Sequence, residues 1–464
     1  MSMRRALPLA ACLLAGCSLA PAYERPAPPV QAQWPGDAAA LADQAGLPAA
    51  DYRTLFRDAR LIALIDIALE NNRDLRQAAA NVARARAQFR IQRADLFPQL
   101  DAGADVVRGN QAGGETRTTA TADLSVTAYE IDLFGRIRSL TDAARESYLA
   151  TAADAQAVRL ALIGDIAQAW LTHAADASLL EISRLTAETA QRTEALTQAR
   201  LASGIAPRSD LRQAQTILAT AQSDMARYTT AIAQDRNLLA LLVGAPVDPA
   251  LLPGGIEEAG ETIDAPSPGT SSEVLLRRPD IMAAEHDLRA ANAQIGAARA
   301  ALFPRVTLGA LFGLVGSSLD GLFGSGGTQL EQGAAGITWP IFQGGAARAG
   351  VAASQAQRDA LLAAYEKAIQ TAYREVADAL ARQATIDDQL GADRLRVQAS
   401  EDAAYLVDAR YRGGIDSFLA ALDAQRSLYT ARRTLVASLL EAAGNRVTLY
   451  RALGGEMMPA PPAP

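Results

Sequence analysis

The chain contains two successive copies of one pattern, and this duplication limits its fold more than any other feature of the sequence. Leu96-Phe97-Pro98 recurs as Leu302-Phe303-Pro304, 206 residues later. Gly204-Ile205 recurs as Gly414-Ile415, 210 residues later. Because the matched motifs keep their order and a nearly constant separation, each copy should form the same series of secondary-structure elements.

Each copy should contain one very long helix and a return helix. Ser139–Ser203 has no proline and a single glycine, so it predicts a helix of 65 residues, roughly 98 Å long. The second copy offers Ala346–Arg412, and return helices are predicted over Ser209–Leu242 and Ser417–Leu453. Alanine, which dominates these segments, favours helices and lets them approach closely. Helices this long cannot bury an apolar stripe alone, so antiparallel pairs are expected.

Two strand-like stretches follow the Leu-Phe-Pro motif in each copy, near residues 99–132 and 305–341. Thr119–Ala128 alternates, which predicts Ala120, Leu124 and Ala128 on one side of a strand. Strands of about ten residues with one apolar face are typical of membrane β-strands, although an ordinary two-sided sheet has the same pattern. Four strands cannot close a barrel in lipid, so several chains would have to share one barrel.

The N-terminus predicts an exported lipoprotein. Arg4 and Arg5 precede a short apolar run that is typical of a secretory signal and too short to span a membrane. Leu14-Ala15-Gly16-Cys17 resembles the bacterial lipobox, in which the cysteine becomes the acylated first residue. Ser18, rather than aspartate, follows it and favours export to the outer membrane. Cys17 is therefore the predicted lipidation site, and one lipidated residue anchors a protein without spanning the membrane.

Composition excludes several other functions. The only other cysteine, Cys12, lies in the segment to be removed, so disulfides and cysteine metal sites are excluded. The net charge is −7, which argues against nucleic acid as a partner. No phosphate-binding loop, nucleophile elbow or zinc-protease motif is present, so no enzyme activity and no cofactor is expected. His173 and His286 are not clustered, which predicts packed side chains rather than metal ligands.

Three motifs carry a family resemblance. Tyr129–Arg136 resembles the strand-to-helix signature of TolC-like outer-membrane factors, and Trp339–Phe342 looks like its counterpart in the second copy. Leu422–Leu428 resembles the family's second return helix. The lipobox is similar to that of the lipoprotein branch of the family, the OprM-like efflux channels.

The resemblance implies both a fold and a function. The fold would be an α+β membrane protein: a trimer with a shared twelve-stranded outer-membrane β-barrel on a twelve-helix periplasmic α-barrel, plus an equatorial domain. The function would be the passive exit duct of a tripartite efflux system for drugs or other small molecules. The implied partners are two further copies, a periplasmic adaptor, an inner-membrane transporter of the RND type and outer-membrane lipid. A duct for type I-like protein secretion and a non-conducting structural lipoprotein of the periplasm are the alternatives.

Six segments follow from the duplication, the proline spacing and the resemblance. The segments are a signal peptide (1–16), a lipidated extended tether with part of the equatorial domain (17–60), the first repeat (61–244), a linker and equatorial segment (245–273), the second repeat (274–454) and a flexible tail (455–464).

The turns that end the two long helices are candidate docking sites. Gly204 and Gly414 are expected as left-handed caps, and arginine suits the negative end of a helix. Turn chemistry alone explains the glycines. The resemblance implies in addition that these tips dock the adaptor. The predicted docking residues are Arg200, Gly204, Ile205, Arg410, Gly414 and Ile415.

The second return helix is predicted to hold a gate. Leu419 and Asp423 lie four residues apart, on one face of a helix. The resemblance implies that this position contributes leucine and aspartate rings to a closed periplasmic aperture, and that Tyr411 is the gating tyrosine. The alternative for a single acid on a helix is a solvated face.

Overall fold

The computed structural model describes residues 18–35, 51–110, 116–266, 271–322, 324 and 327–455, so the predicted lipidation site at Cys17 lies outside it. The chain divides into two compact units. The first combines residues of Met1–Ala27, Ala80–Ala153 and Met282–Lys367, and the second combines residues of Pro28–Ala79, Asp154–Ile281 and Ala368–Pro464.

The described residues form α-helices and four strands in a repeated order. In chain order they are α1 (Tyr52–Leu55), α2 (Ala59–Asn71), α3 (Arg73–Ala94), β1 (Asp101–Asn110), β2 (Thr116–Ile131), α4 (Arg136–Ala202), α5 (Arg208–Val243), α6 (Ile256–Glu261), α7 (Pro279–Ala300), β3 (Arg305–Gly316), α8 (Leu319–Leu322), β4 (Thr328–Thr338), α9 (Ala346–Arg412) and α10 (Phe418–Ala452).

The long helices confirm the prediction. α4 and α9 each contain 67 residues, and the return helices α5 and α10 follow after short turns. The helices α3 and α7 end four residues before Pro98 and Pro304. Proline accounts for these ends, since the residue before a proline avoids helical geometry.

The strands form one antiparallel sheet in the order β1-β2-β3-β4. The alternation predicted in β2 fails at Ala128. Val126 pairs with Ala310 and Tyr129 with Leu308, so β2 has one extra residue there. Ala128 has a φ of 145°, which is rare for a residue with a side chain. An extra residue reverses the sides of a strand, and Ala128 therefore cannot continue the face that Ala120 begins.

The main core of the second unit surrounds the middle of α4. Along one face of this helix, Leu162, Ile166, Trp170 and His173 are buried. Trp170 also donates a hydrogen bond from Nε1 to the carbonyl of Leu251, at 3.1 Å. Burying each large apolar side chain contributes about 1.5–3 kcal/mol, so this cluster adds substantially to the stability of the unit.

In the second unit, the end of one helix contacts the start of another at two junctions. At the first, Asn72 Nδ2 donates to the carbonyl of Leu242 at 2.8 Å, while its Oδ1 accepts from the amide of Leu75 at 3.0 Å. One side chain thus caps the end of α5 and the start of α3. A Cβ at Gly244 would lie 2.6 Å from the carbonyl oxygen of Asn71, so only glycine fits this contact.

Arg278 plays the corresponding part at the second junction. Its Nη1 donates to the carbonyl of Ala452 at the end of α10, at 2.8 Å. The same guanidinium pairs with Asp280 at 2.8 Å, in the first turn of α7, and with Glu375 at 2.9 Å.

Residues 19–25, the N-terminal strap, run along α7 in the first unit. Arg299 donates to the carbonyl of Leu19 at 3.2 Å, and Asn292 donates to that of Pro21 at 2.8 Å. Arg25 forms an ion pair of 2.8 Å with Glu285, whose side chain is only 5% exposed. In the described part of the chain, none of the helices combines the length and the apolar character needed to cross a membrane.

Candidate functional site: the two hairpin turns

The turns between α4 and α5 and between α9 and α10 have the same backbone geometry. Gly204 has a φ of 73° and Gly414 a φ of 74°, which confirms the predicted left-handed caps. The amide of Ile205 donates to the carbonyl of Arg200, and that of Ile415 to the carbonyl of Arg410, at 2.8 and 2.9 Å. These are Schellman turns. No heavy atom lies within 4 Å of a Cβ built at either glycine, so φ and not space requires glycine here.

The second turn is held by more polar contacts than the first. Arg410 Nε and Nη2 donate to Asp416 at 2.7 and 3.0 Å. These hydrogen bonds lower the pKa of the Asp416 carboxyl. Ser417 caps α10 by accepting from the amide of Ala420, whereas Pro207 gives α5 no side-chain cap.

Both tips expose a large apolar side chain. Ile205 is 74% exposed and Ile415 is 67% exposed. Exposing an isoleucine side chain to water at the end of a long hairpin does not stabilise the protein, so these side chains suit contact with another protein.

The structure brings the predicted gate tyrosine to one of the predicted docking residues. The guanidinium carbon of Arg200 lies 4.7 Å from the centre of the Tyr411 ring, which is a cation–π contact between the two hairpins. Tyr411 also packs against Phe418, with ring centres 5.5 Å apart. It belongs to a small apolar cluster with Ile217 and Leu422, so it joins α10 to α5.

Leu419 and Asp423 lie on a different face of α10, away from Tyr411. Leu419 is 53% exposed, and the Asp423 side chain is 62% exposed. Arg426 approaches Asp423 at 3.6 Å within the same helix. Within one chain this pair leaves an open surface of one leucine and one carboxylate.

A polar network next to this face has no local signal in the sequence. Asp224 of α5 accepts a hydrogen bond from Tyr429 of α10 at 2.6 Å, and Ser183 of α4 lies 3.0 Å from the Tyr429 hydroxyl. These residues are far apart in the chain. The contact could have been predicted only if the pairing of the three helices and its register were already known.

Buried titratable groups also line the helix pair of α4 and α5. His173 is buried, and neither of its ring nitrogens has a hydrogen-bond partner within the part of the chain that the structure describes. Burial lowers its pKa, and Arg236 lowers it further. Burial also raises the pKa of Asp235 to about 6, with a further contribution from the nearby Asp176 carboxylate.

The other histidine, His286, lies in the first unit. It is paired through Nδ1 with Glu146 at 2.7 Å. Among the described residues, no group of three or more histidine, cysteine or acidic side chains is arranged to hold a metal ion.

Known proteins match the chain along nearly its whole length. The family model described as outer membrane efflux protein matches residues 64–245 and again 270–455. The solvent efflux pump outer membrane protein SrpC of Pseudomonas putida is 44% identical over 469 residues, which cover 97% of this chain and 98% of that protein. Outer membrane protein OprJ of Pseudomonas aeruginosa is 41% identical, over 96% of this chain and 94% of that protein.

A solved structure extends the similarity to the fold. The crystal structure of the open state of the Neisseria gonorrhoeae MtrE outer membrane channel superimposes with a TM-score of 0.85 at 35% identity. The alignment covers 95% of this chain and 99% of that chain.

Proposed function

The chain belongs to the outer membrane efflux protein family and is the outer-membrane exit duct of a tripartite efflux system, and from this premise we propose how it assembles, docks and closes. The predicted fold class, an α+β outer-membrane channel, is confirmed by the structural similarity. The duct works with a periplasmic adaptor and an inner-membrane transporter.

The proposed assembly is a homotrimer. Each chain offers a four-stranded sheet whose outer strands, β1 and β4, have one free edge each. Free edges are not tolerated in lipid, so neighbouring sheets must pair edge to edge. Three chains then supply the twelve strands of one barrel.

The proposed anchor is an acyl group on Cys17, in the lipid of the outer membrane. The support is the lipobox together with the N-terminal strap, which begins two residues later and is fixed to α7 from Leu19 onward.

The proposed docking surface for the adaptor consists of the two hairpin tips. Its residues are Arg200, Gly204, Ile205, Arg410, Gly414 and Ile415. The exposed isoleucines and the rigid Schellman turns support this assignment, because they present an apolar side chain on a fixed backbone.

The proposed gate consists of Leu419 and Asp423. Tyr411 holds α10 in place from a different face of that helix. Three copies around an axis would bring three leucines and three carboxylates together, which gives an apolar constriction beside a ring of like charges. The observation that carries this proposal is the exposure of both side chains on one face of α10.

Conductance measurements in planar lipid bilayers test the proposed gate. The purified protein should run as a trimer in detergent and conduct weakly. Replacing Leu419 and Asp423 together with alanine should increase the conductance, and cells that carry this variant should become leakier to large antibiotics. A stable monomer that conducts nothing would support the structural-lipoprotein alternative. Unchanged conductance in a folded double variant would show that these side chains form only a solvated face.

The proposed cargo is small molecules, delivered by an RND-type transporter. The relative SrpC is named a solvent efflux pump component, which favours small apolar compounds over secreted proteins. Export of a panel of solvents and antibiotics by cells that carry or lack the protein would test this directly.

The division into two repeats, 61–244 and 274–454, with an N-terminal tether (17–60), a linker (245–273) and a tail (455–464), is also a proposal. The same family model matches the chain twice, at closely similar ranges, and this supports it.

A further inference from the structure

The junction between β2 and α4 is packed within the chain, whereas its counterpart between β4 and α9 is open. After β2, the ring of Phe134 stacks on that of Phe303, which lies just before β3, with ring centres 4.7 Å apart and 21° between the planes. Phe342 is the counterpart of Phe134 in the second copy, 208 residues later. Phe342 is 90% exposed, so a single chain leaves in solvent the ring whose counterpart is stacked.

The counterpart of Phe303 is Phe97, in the Leu-Phe-Pro motif that precedes β1. Phe97 is 63% exposed, compared with 39% for Phe303. Since β1 and β4 are the outer strands of the sheet, their axes lie three strand spacings apart, roughly 14 Å, and Phe97 and Phe342 of one chain are kept apart. The two rings can meet only where β4 of one chain pairs with β1 of another.

The register of β2 with β3 specifies where such a contact would lie. Ile131 pairs with Val306. The counterparts of these two residues are Trp339 and Leu100, which are 61% and 69% exposed. Transferring the register to β4 and β1 therefore places two exposed apolar side chains opposite each other. The same register, continued towards the helices, places Phe342 beside Phe97.

The transferred register also brings matching faces of the sheet together. It sets Ile337 opposite Ala102, because these are the counterparts of the paired residues Tyr129 and Leu308. Within the chain, the three successive strand pairings place Ala102 and Ile337 on the same face of the sheet. A slip of one residue would bring opposite faces together. The duplication and the two faces thus agree on one register.

We infer that the open junction binds a second copy of this chain, and that Phe342 stacks on Phe97 of the partner subunit where the strands meet the helices. The inference rests on the proposed homotrimer. Stacked pairs within chains would then alternate with stacked pairs between chains. An aromatic pair adds attraction beyond the burial of its area, so each pair between chains fixes the register of β4 with β1 at its seam.

Disulfide formation between single cysteines tests the contact. Chains with Phe342→Cys and chains with Phe97→Cys, expressed together and purified in detergent, should give a covalent dimer under a mild oxidant. Gln99→Cys in place of Phe97→Cys is the matched control, because it corresponds to a slip of two residues. The pair that includes Phe97→Cys should react at least about tenfold faster, since a disulfide requires Cβ atoms about 4 Å apart.

Two further samples calibrate this experiment. A single chain with both Phe134→Cys and Phe303→Cys should form a disulfide without joining chains, which shows that the oxidant acts on this geometry. The parent protein, treated in the same way, gives the background from Cys17.

Dissociation of the trimer measures the energetic part of the inference. Phe342→Ala and Phe97→Ala should each speed dissociation in dodecyl sulfate by roughly threefold to tenfold. The double variant should speed it by less than the product of the two effects, because both remove one contact. Phe134→Ala combined with Phe97→Ala is the control, and its two effects should multiply.

The outcomes distinguish this contact from the trimer itself. Suppose that a trimer forms and the pair within the chain is oxidised. If the Phe97→Cys pair then reacts no faster than the Gln99→Cys pair, the contact is wrong while the trimer stands, and the exposed rings face lipid. Independent effects of Phe342→Ala and Phe97→Ala would also overturn the contact. A protein that is monomeric in detergent would overturn the homotrimer and this inference together.

Discussion

Single residues decide the geometry of the two hairpin tips. Gly204 and Gly414 have nearly equal φ values, although 210 residues separate them. Around them the turns differ, since Arg410 is tied to Asp416 whereas Arg200 lies over Tyr411. The two tips therefore have the same backbone conformation, but their arginines contact different side chains. This difference suits two docking points that are similar but not identical.

Alanine at Gly414 should loosen the second tip. A side chain at a φ of 74° costs about 1–2 kcal/mol, so amide exchange of residues 410–416 should become about 5–30 times faster. Hydrogen exchange followed by mass spectrometry measures this effect. Gly413→Ala is the control, since its Cβ would meet nothing closer than 3.6 Å and its φ is not in the left-handed region. Equal exchange in the two variants would contradict the argument.

Among the elements, proline and glycine mark the ends of the helices, which is why the sequence predicts them well. The long helix predicted over Ser139–Ser203 is observed as Arg136–Ala202, and the one over Ala346–Arg412 has the predicted bounds. The bulge at Ala128 escapes prediction because it depends on the pairing of β2 with β3. The contact between Asp224 and Tyr429 escapes for the same reason, since it joins residues 205 positions apart.

The packing of α4 against α5 should make stability depend on pH. The pKa of Asp235 is raised from 3.8 to about 6, so between these values the folded protein binds more protons than the unfolded chain. The free energy of unfolding therefore falls as the pH rises through this window, and the penalty is complete above about pH 6.

Asp235→Asn should remove that penalty. The variant should be more stable than the parent by about 1–2 kcal/mol at pH 8, with little difference at pH 4, which thermal unfolding in detergent would measure. Asp387→Asn, at an exposed position on α9, should have no such effect. An equal gain at both pH values would mean that the ionisation of the Asp235 carboxyl in its half-buried site is not the cause.

For the whole molecule, the N-terminal strap links the proposed lipid anchor to the folded protein. Glu285 receives hydrogen bonds from Arg25 at 3.0 Å and from Arg289 at 2.5 Å. Burial alone would raise the pKa of this carboxyl, but these hydrogen bonds outweigh it, and the pKa is lowered. The ion pair is therefore present above the ordinary glutamate pKa and is lost as the pH falls through the lower folded value.

Glu285→Gln should release the strap at neutral pH. Protease cleavage between residues 19 and 25 should then become about tenfold faster, because a buried ion pair has lost its acid. Limited proteolysis of the detergent-solubilised protein measures this, and Glu24→Gln, an exposed strap residue, is the control.

Replacing Cys17 with serine should abolish labelling by a fatty-acid analogue and leave the cleavage rate unchanged. Persistent labelling of that variant would show that the acyl group lies elsewhere.

The junctions at Asn72 and Arg278 show that each run of helices and strands returns to its own starting point. The end of α5 contacts the start of α3, and the end of α10 contacts the start of α7. A segment whose two ends meet can be duplicated in tandem without disturbing its own packing, because neither end has to reach across the fold to leave or to rejoin it.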